Sequence, residues 1–226
     1  MKAVIFDLDD TLVSEHEFML SGYMAVAKDT ERLLPDVWQD IFERMVQLSR
    51  EDTRMVFNRL LDSYHLYYDR DDIKDMVKRY REHMPKISFY EDAVPALTAL
   101  RAGGIRTGII SDGYPLMQHN KIHACKGEKY FDEIIITDEL GGDVYHKPDR
   151  RSFDKMAADL KTDLTDMLYV GDNPEKDFYI SKVCGVKTAR IIREDGIYRD
   201  RQYYGGIKEN FRIRSLKDIT ALEGIK

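Results

Sequence analysis

The stretch KAVIFDLDDT, residues 2–11, decides the predicted fold. Residues 3–6 are apolar and partly β-branched, which is typical of a buried strand. An aspartate-rich segment, residues 7–11, follows at once. Because open α/β sheets bind their ligands outside the carboxyl ends of the strands, this break is a candidate functional site. The same residues could also form a solvated acidic turn or a helix N-cap.

Asp7 and Asp9 point the same way if the chain stays extended beyond the strand, because side chains alternate along a strand. Like charges at such short range repel each other, so the pair needs a cation or a shared proton. Carboxylate oxygens are suitable ligands for Mg²⁺. A carboxylate pair can also divide the roles of nucleophile and acid–base catalyst. Both kinds of chemistry remain open for this pair.

The composition favours a folded protein with an apolar core. The chain has 226 residues, 43% of them hydrophobic, and a formal net charge of −6. This charge argues against nucleic-acid or anionic-membrane partners, because their binding depends on neutralising phosphates. No apolar run approaches the roughly 20 residues that a membrane span needs, and Asp7 interrupts the N-terminal run, so we expect no signal peptide. Cys125 and Cys184 form no disulfide framework, which fits a cytoplasmic location.

Two kinds of patterning divide the chain. Residues 14–88 carry apolar side chains at helical spacing without a strong strand signal, so they predict a block of three or four helices. Further along, apolar runs alternate with helical segments, at residues 105–110, 133–137, 167–170 and 186–192. This alternation predicts a mostly parallel sheet with right-handed crossovers. We therefore expect an α/β core, formed by residues 1–13 and 89–226, with an α-helical insert.

Polar clusters follow the predicted strands or lie at a loop–helix junction in four places. They are Asp7 with Asp9 and Thr11, then Ser111, Lys147, and Asp172 with Asp177. Taken singly, each is compatible with a helix cap or an ordinary surface residue. At a common sheet edge they would supply carboxylates for Mg²⁺, a hydroxyl donor and an ammonium group. That set suits a phosphoryl group in transfer, whose charge must be neutralised.

The order of four motifs resembles the haloacid-dehalogenase superfamily of phosphohydrolases. The motifs are DLDDT (7–11), IIS (109–111), HKP (146–148) and GDNPEKD (171–177). The resemblance covers essentially the whole chain. It implies a Rossmann-like parallel sheet core with residues 14–88 as an inserted helical cap of the C1 type. It also implies an Mg²⁺-dependent phosphatase whose partner is a small-molecule phosphate ester, such as a sugar phosphate, and it leaves the oligomeric state open.

The resemblance further implies roles for the matching catalytic residues. Asp7 would be the nucleophile that forms an aspartyl phosphate. Asp9 would protonate the leaving oxygen and then activate the hydrolytic water. Thr11 and Ser111 would fix the loop and the phosphoryl oxygens. Lys147 would offset the negative charge of Asp7 and of the phosphate.

The metal ligands are carried over in the same way. Asp7, the backbone carbonyl of Asp9 and Asp172 would hold Mg²⁺. Asp177 would be either a direct ligand or a partner of one. Asp112, which follows the hydroxyl-bearing motif, is a further candidate for phosphate binding.

Several alternatives remain open. Dehalogenases lack an acid at the position of Asp9, so this residue favours phosphate esters over halides. A phosphonate-cleaving relative would need a cap lysine, for which Lys28 is available, and a phosphomutase would share the same core. A receiver-type signalling module uses similar groups but carries no long helical insert. A non-catalytic relative that binds phosphate ligands is the remaining possibility.

Substrate choice is expected to depend on the insert. Glu15, His16 and Phe18, at its hinge and first helix, are candidate specificity residues. The stretches GYPLMQHNK (113–121) and ITDELGG (136–142) are similar to the subgroup that contains N-acylneuraminate-9-phosphatase-like enzymes.

Overall fold

A six-stranded parallel sheet forms the larger part of the structure, a computed structural model that describes residues 1–225. Its strands are β1 (Ala3–Phe6), β2 (Arg106–Ser111), β3 (Glu133–Ile136), β4 (Met167–Gly171), β5 (Lys187–Ile191) and β6 (Phe211–Ile213). Their order is β3-β2-β1-β4-β5-β6. All pairs are parallel, and Phe6 lies opposite Ile109 of β2 and Val170 of β4. The residues that follow β1 therefore lie between the ends of β2 and β4.

Within the described chain, the α-helices alternate with the strands except that five of them lie between β1 and β2, and none lies between β5 and β6. They are α1 (Glu15–Thr30), α2 (Trp38–Glu51), α3 (Val56–Ser63), α4 (Arg70–Glu82), α5 (Ala93–Ala102), α6 (Pro115–Ala124), α7 (Arg151–Asp159) and α8 (Ile180–Cys184). The predicted α/β class with a parallel sheet is confirmed. Among residues 1–225, we find no helix whose length and apolar character would suit it to a membrane span.

The chain divides into two compact units. One comprises residues 1–15 together with the described chain from residue 88 onward, and the other comprises residues 16–87. Ser14, Glu15 and Ser88, which lie within the predicted insert, thus belong to the sheet-containing unit. The boundary between the units falls directly after Glu15, the first residue of α1. Glu15 therefore belongs with the loop that follows β1.

The sheet core explains why β1 reads as a continuous apolar run. Its four residues are all buried, as expected for a central parallel strand that is covered on both faces. On one face, Phe153 of α7 packs edge-to-face on Tyr169 of β4, with ring centroids 5.1 Å apart. A β-carbon at Gly108 of β2 would lie 2.7 Å from the sulfur of Met156, so a larger residue there would displace the end of that side chain of α7.

The helical unit has an apolar core of its own. Residues from its four helices meet there, including Tyr23, Ile41, Met45, Leu60 and Met76. Phe18 is completely buried and packs edge-to-face on Tyr80, with centroids 5.5 Å apart.

A 3₁₀ segment, Leu216–Ala221, follows β6. Ser215 caps it, because its side chain accepts a hydrogen bond from the backbone N–H of Lys217.

Candidate active site

Three buried carboxylates meet at the carboxyl edge of the sheet. Asp7 follows β1, Asp172 follows β4, and Asp177 lies five residues beyond Asp172. One carboxylate oxygen from each lies within 4.8 Å of the others. The backbone N–H of Asp7 donates to the carbonyl of Val170 over 2.8 Å, which extends the register of the two strands to the site. Three carboxylates cannot all be ionised at such distances without positive charge nearby.

Lys147 supplies part of that charge. Its Nζ lies 2.6 Å from Oδ1 of Asp7 and 3.2 Å from Oδ1 of Asp177. Burial alone would lower the pKa of the Lys147 ammonium, but the charges of Asp177 and Asp7 outweigh it and raise the pKa above its usual range. Burial raises the pKa of Asp7 to about 6, against the opposing effect of Lys147. Lys147 therefore stays protonated, and it favours the ionised form of Asp7.

Tyr169, in the middle of β4, completes the hydrogen bonds of this lysine. Its hydroxyl accepts from Nζ of Lys147 over 2.6 Å and donates to Oδ1 of Asp177 over 3.2 Å. Burial, with the charge of Asp177 next, holds the pKa of the Tyr169 hydroxyl well above 10. The hydroxyl thus remains neutral, so it can accept a hydrogen bond from the ammonium of Lys147 and donate one to the carboxylate of Asp177.

The turn that follows β4 orients Asp177. Its Oδ2 accepts from the backbone N–H of Asn173 over 2.9 Å. A β-carbon at Gly171 would collide with the carboxyl group of Asp177, so glycine ends β4 for steric reasons. These contacts leave Asp177 with a partner on each of its two oxygens.

Asp172, by contrast, has a buried oxygen, Oδ1, without a hydrogen-bond partner among the described residues. Burial, followed by the charges of Asp177 and Asp7, raises the pKa of Asp172 well above its usual range. An unpartnered buried carboxylate oxygen beside two other carboxylates is the donor set that a hard divalent cation takes. The residues present therefore fit the Mg²⁺ that the sequence implied.

Ser111 and Asp9 are connected through a residue that the sequence analysis missed. Gln118 of α6 is completely buried, and its Nε2 donates to Oδ2 of Asp9 over 2.9 Å and to Oγ of Ser111 over 2.6 Å. One amide group thus joins the acid after β1 to the hydroxyl that ends β2.

Lys121 lies one turn further along α6 and was also missed. Its ammonium has no exposed surface and lies 2.7 Å from Oδ1 of Asp9 and 2.8 Å from Oε2 of Glu15. Burial would raise the pKa of Asp9, but the ammonium of Lys121 outweighs it and lowers this pKa.

Thr11 lies in the loop after β1, with a buried hydroxyl that has no hydrogen-bond partner among the described residues. Its carbonyl accepts from the guanidinium of Arg193 over 2.6 Å. Asp10, one residue earlier, has a positive φ of 50° and accepts from the backbone N–H groups of Glu15 (2.9 Å) and Ile197 (3.2 Å). The segment after β5 thereby holds the loop that carries Asp9 and Thr11.

Asp112 uses both carboxylate oxygens within the protein. Oδ1 accepts from Thr137 Oγ1 over 3.0 Å and from the backbone N–H of Lys147 over 3.2 Å, while Oδ2 accepts from Nζ of Lys176 over 3.0 Å. Burial would raise the pKa of Asp112, but Lys147 and Lys176 lower it to about 2. Asp112 is thus ionised, and it binds the ammonium of Lys176 and the backbone of Lys147 at the edge of the site.

Two of the missed residues had a signal in the sequence. Gln118 and Lys121 are three apart on the helix that follows the Ser111 motif, so they share one helix face. Tyr169 looks like core packing because its neighbours in β4 are apolar, and Lys176 lies inside a motif in which attention goes to the aspartates.

Comparisons with known proteins agree with this arrangement. A profile of the family described as "Haloacid dehalogenase-like hydrolase" matches residues 4–191. The chain is 30% identical to a glyceraldehyde 3-phosphate phosphatase of Pyrococcus abyssi, over 83% of this chain and 80% of that protein. It is 28% identical to a putative pyrophosphatase PpaX of Clostridium perfringens, over 84% of each chain. The crystal structure of a HAD phosphatase from Thermococcus onnurineus superposes with a TM-score of 0.64 and 26% identity, covering 100% of this chain and 99% of that one.

Proposed function

Because the chain belongs to the haloacid dehalogenase-like hydrolases and is a phosphatase of that family, we propose that it is an Mg²⁺-dependent phosphomonoester hydrolase that forms an aspartyl phosphate on Asp7. The observation that carries this proposal is the buried group of Asp7, Asp172 and Lys147. A nucleophilic carboxylate lies 2.6 Å from an ammonium there, beside a carboxylate oxygen without a hydrogen-bond partner.

The first step is attack by the carboxylate of Asp7 on phosphorus. A bond forms from its oxygen to phosphorus, the bond to the leaving oxygen breaks, and Asp9 gives that oxygen its proton. In the second step Asp9 takes a proton from water, the water oxygen bonds to phosphorus, and the bond to Asp7 breaks. Inorganic phosphate leaves, and both carboxyl groups return to their starting state.

Lys147 stabilises negative charge on Asp7 in the resting protein and on the phosphoryl oxygens during transfer. Ser111 and Thr11 are proposed to donate to phosphoryl oxygens. Asp112 carries a full negative charge, which would repel phosphate, so we propose that it positions Lys147 and Lys176 instead.

Asp7, Asp172 and the backbone carbonyl of Asp9 would hold Mg²⁺, which supplies electrostatic stabilisation of the phosphoryl charge when bound. Asp177 already accepts from Asn173 and Tyr169 and contacts Lys147, so we propose that it positions these groups.

The proposed substrate is a small phosphomonoester such as a sugar phosphate, in line with the relatives named for glyceraldehyde 3-phosphate. A pyrophosphate is the second candidate, because relatives named pyrophosphatase PpaX are 23–28% identical over 84–97% of this chain. Residues 16–87 are proposed to be the cap domain that selects among such substrates. A cytoplasmic location is proposed, supported by the free thiols of Cys125 and Cys184.

The test is hydrolysis of p-nitrophenyl phosphate with and without Mg²⁺, followed by a panel of sugar phosphates and inorganic pyrophosphate. Asp7→Asn is expected to abolish turnover. The matched control is Asp166→Asn, just before β4 and therefore at the opposite edge of the sheet. It should retain wild-type activity. Borohydride reduction during turnover, with peptide mass spectrometry, should convert Asp7 to homoserine. Turnover that survives in Asp7→Asn, or label on another residue, would contradict the proposal.

A further inference from the structure

The proposed mechanism makes no use of one fully buried cation, Lys121 of α6. Its side chain has no exposed surface, and its Nζ lies 2.7 Å from Oδ1 of Asp9 and 2.8 Å from Oε2 of Glu15. A buried charge is costly unless it is paired and hydrogen-bonded. The contact with Asp9 points to an action of Lys121 on that residue.

Both carboxylate oxygens of Asp9 are held from a single helix. Lys121 holds Oδ1, and Gln118 donates to Oδ2 over 2.9 Å. These two side chains lie on the same face of α6, because they are three residues apart. Gln118 also donates to Ser111, at the start of the same strand–helix connection. Contacts from α6 therefore orient the Asp9 carboxyl group in addition to the loop that carries it.

Glu15 fixes the other side of the ammonium. Its backbone N–H donates to Asp10 over 2.9 Å, so its own position is set by the loop after β1. The loop thus presents two carboxyl groups, Asp9 and Glu15, to one buried lysine. Removing Lys121 would leave these two carboxyl groups without the ammonium that they share.

We propose that Lys121, held in place by Glu15, is a positioning residue that holds the ionised carboxylate of Asp9, the form that remains once its proton has passed to the leaving oxygen and that then takes a proton from water. This inference rests on the proposed function. Proton transfer depends steeply on geometry, and a misplacement of about 1 Å can cost about 10²-fold in rate. Leaving groups that depart only when protonated will therefore depend on Lys121 more than leaving groups that depart as stable anions.

The experiment compares two esters in Lys121→Met, which removes the ammonium and keeps a long side chain. We expect kcat/KM for glycerol phosphate, an alkyl ester, to fall about 10²-fold, the lower end of the contribution of general acid catalysis. The fall for p-nitrophenyl phosphate is expected to be less than about 5-fold, because that leaving group needs little protonation. KM should change little for either ester. Asp9→Asn serves as the reference, since it should show the same selectivity between esters in stronger form.

The matched control is Lys155→Met on α7, which removes an exposed lysine paired with Asp159 at 2.6 Å. It should leave the ratio of the two kcat/KM values unchanged. Glu15→Ala is the second variant, and it should lower kcat/KM for glycerol phosphate relative to p-nitrophenyl phosphate by a smaller factor. If Lys121→Met shows no cooperative thermal unfolding, the ratio of the two kcat/KM values in Glu15→Ala tests the inference.

Equal losses on both esters would make Lys121 a structural residue only, and no loss on either would remove its role altogether. Either result in a folded variant overturns the inference. Failure of the proposed function would look different. The wild type would then show no Mg²⁺-dependent hydrolysis, or Asp7→Asn would remain active.

Discussion

The Nζ of Lys147 lies 2.6 Å from Oδ1 of Asp7, with side chains that are 1% and 4% exposed. Lys147 lies in a loop 140 residues from Asp7, so only the assembled sheet brings this pair together. The ammonium compensates a group of buried carboxylates, which makes it necessary for stability as well as for the proposed chemistry.

Replacing Lys147 should therefore destabilise the protein in a pH-dependent manner. In Lys147→Met we expect the free energy of unfolding at neutral pH to fall by about 3–5 kcal/mol, as for a buried pair that loses one partner. Without the ammonium, the pKa of Asp7 in the folded state rises further above about 6. Protonation then relieves part of the loss as the pH falls. Urea unfolding at neutral and mildly acidic pH measures this effect, and a pH-independent loss would contradict it.

Replacing Tyr169 by Phe tests the hydrogen bonds of its hydroxyl alone, because the ring contact with Phe153 is retained. The variant leaves Lys147 and Asp177 each short of one buried partner. We expect a loss of about 1–3 kcal/mol in stability. Tyr67→Phe is the control, since that residue is 96% exposed and should unfold like the wild type. Denaturant titration distinguishes the two variants, and equal stability of both would show that the hydroxyl contributes nothing.

Mg²⁺ should stabilise the wild type by binding beside Asp172. A ligand at about 100 times its dissociation constant contributes about 2.7 kcal/mol when it binds only the folded state. Asp172→Asn removes charge from the group that contains the unpartnered oxygen. We expect it to lose most of the rise in Tm on addition of Mg²⁺, while Asp166→Asn keeps it. This readout is independent of turnover. A full Tm rise in Asp172→Asn would place the metal elsewhere.

Glu15 should make stability depend on pH. Burial, together with the charge of Asp9, raises the pKa of Glu15 to about 8, against the effect of Lys121. An unfolded glutamate titrates near about 4.3. Between these values the folded state binds more protons than the unfolded chain, so the free energy of unfolding falls as the pH rises. One titrating group can change the free energy of unfolding by at most about 1.4 kcal/mol per pH unit. The Glu15 side chain is 32% exposed, and solvent screening therefore makes its effect smaller than this limit.

Glu15→Gln cannot titrate, so this component should disappear from the variant. Urea unfolding across about pH 5 to 8, with a chelator present, compares the two profiles. The wild type should lose stability with rising pH more steeply than Glu15→Gln. Parallel profiles would show that Glu15 titrates normally.

The sequence was sufficient for the fold class and for the family. Apolar runs that break into polar residues revealed the strands and their carboxyl ends, because both follow from local patterning. The roles predicted for Asp7, Asp9, Thr11, Ser111 and Lys147 stay predictions, and so does the assignment of residues 14–88 as a cap.

What local patterning could not reveal are the partners that reach the site from elsewhere. Tyr169 has the sequence pattern of a buried core residue. Its hydroxyl binds Lys147, which is distant in sequence, so only the folded structure reveals this contact. Lys121 looks like a helix surface residue until the loop after β1 is packed over it. Glu15 is a candidate specificity residue from the sequence, and that role stays a prediction, but its contact with Lys121 is visible only in the structure. Each case depends on contacts between residues distant in sequence, which periodicity does not encode.

The close approach of Asp177 to the end of β4 has a consequence for how this chain can vary. The space beside Gly171 that a methyl group would need is filled by the carboxyl group of Asp177. A library that randomises position 171 should therefore recover glycine almost alone among active clones, however conservative the replacement. Gly171 has no side chain and performs no chemistry, yet we expect it to tolerate fewer substitutions than the other residues of the site.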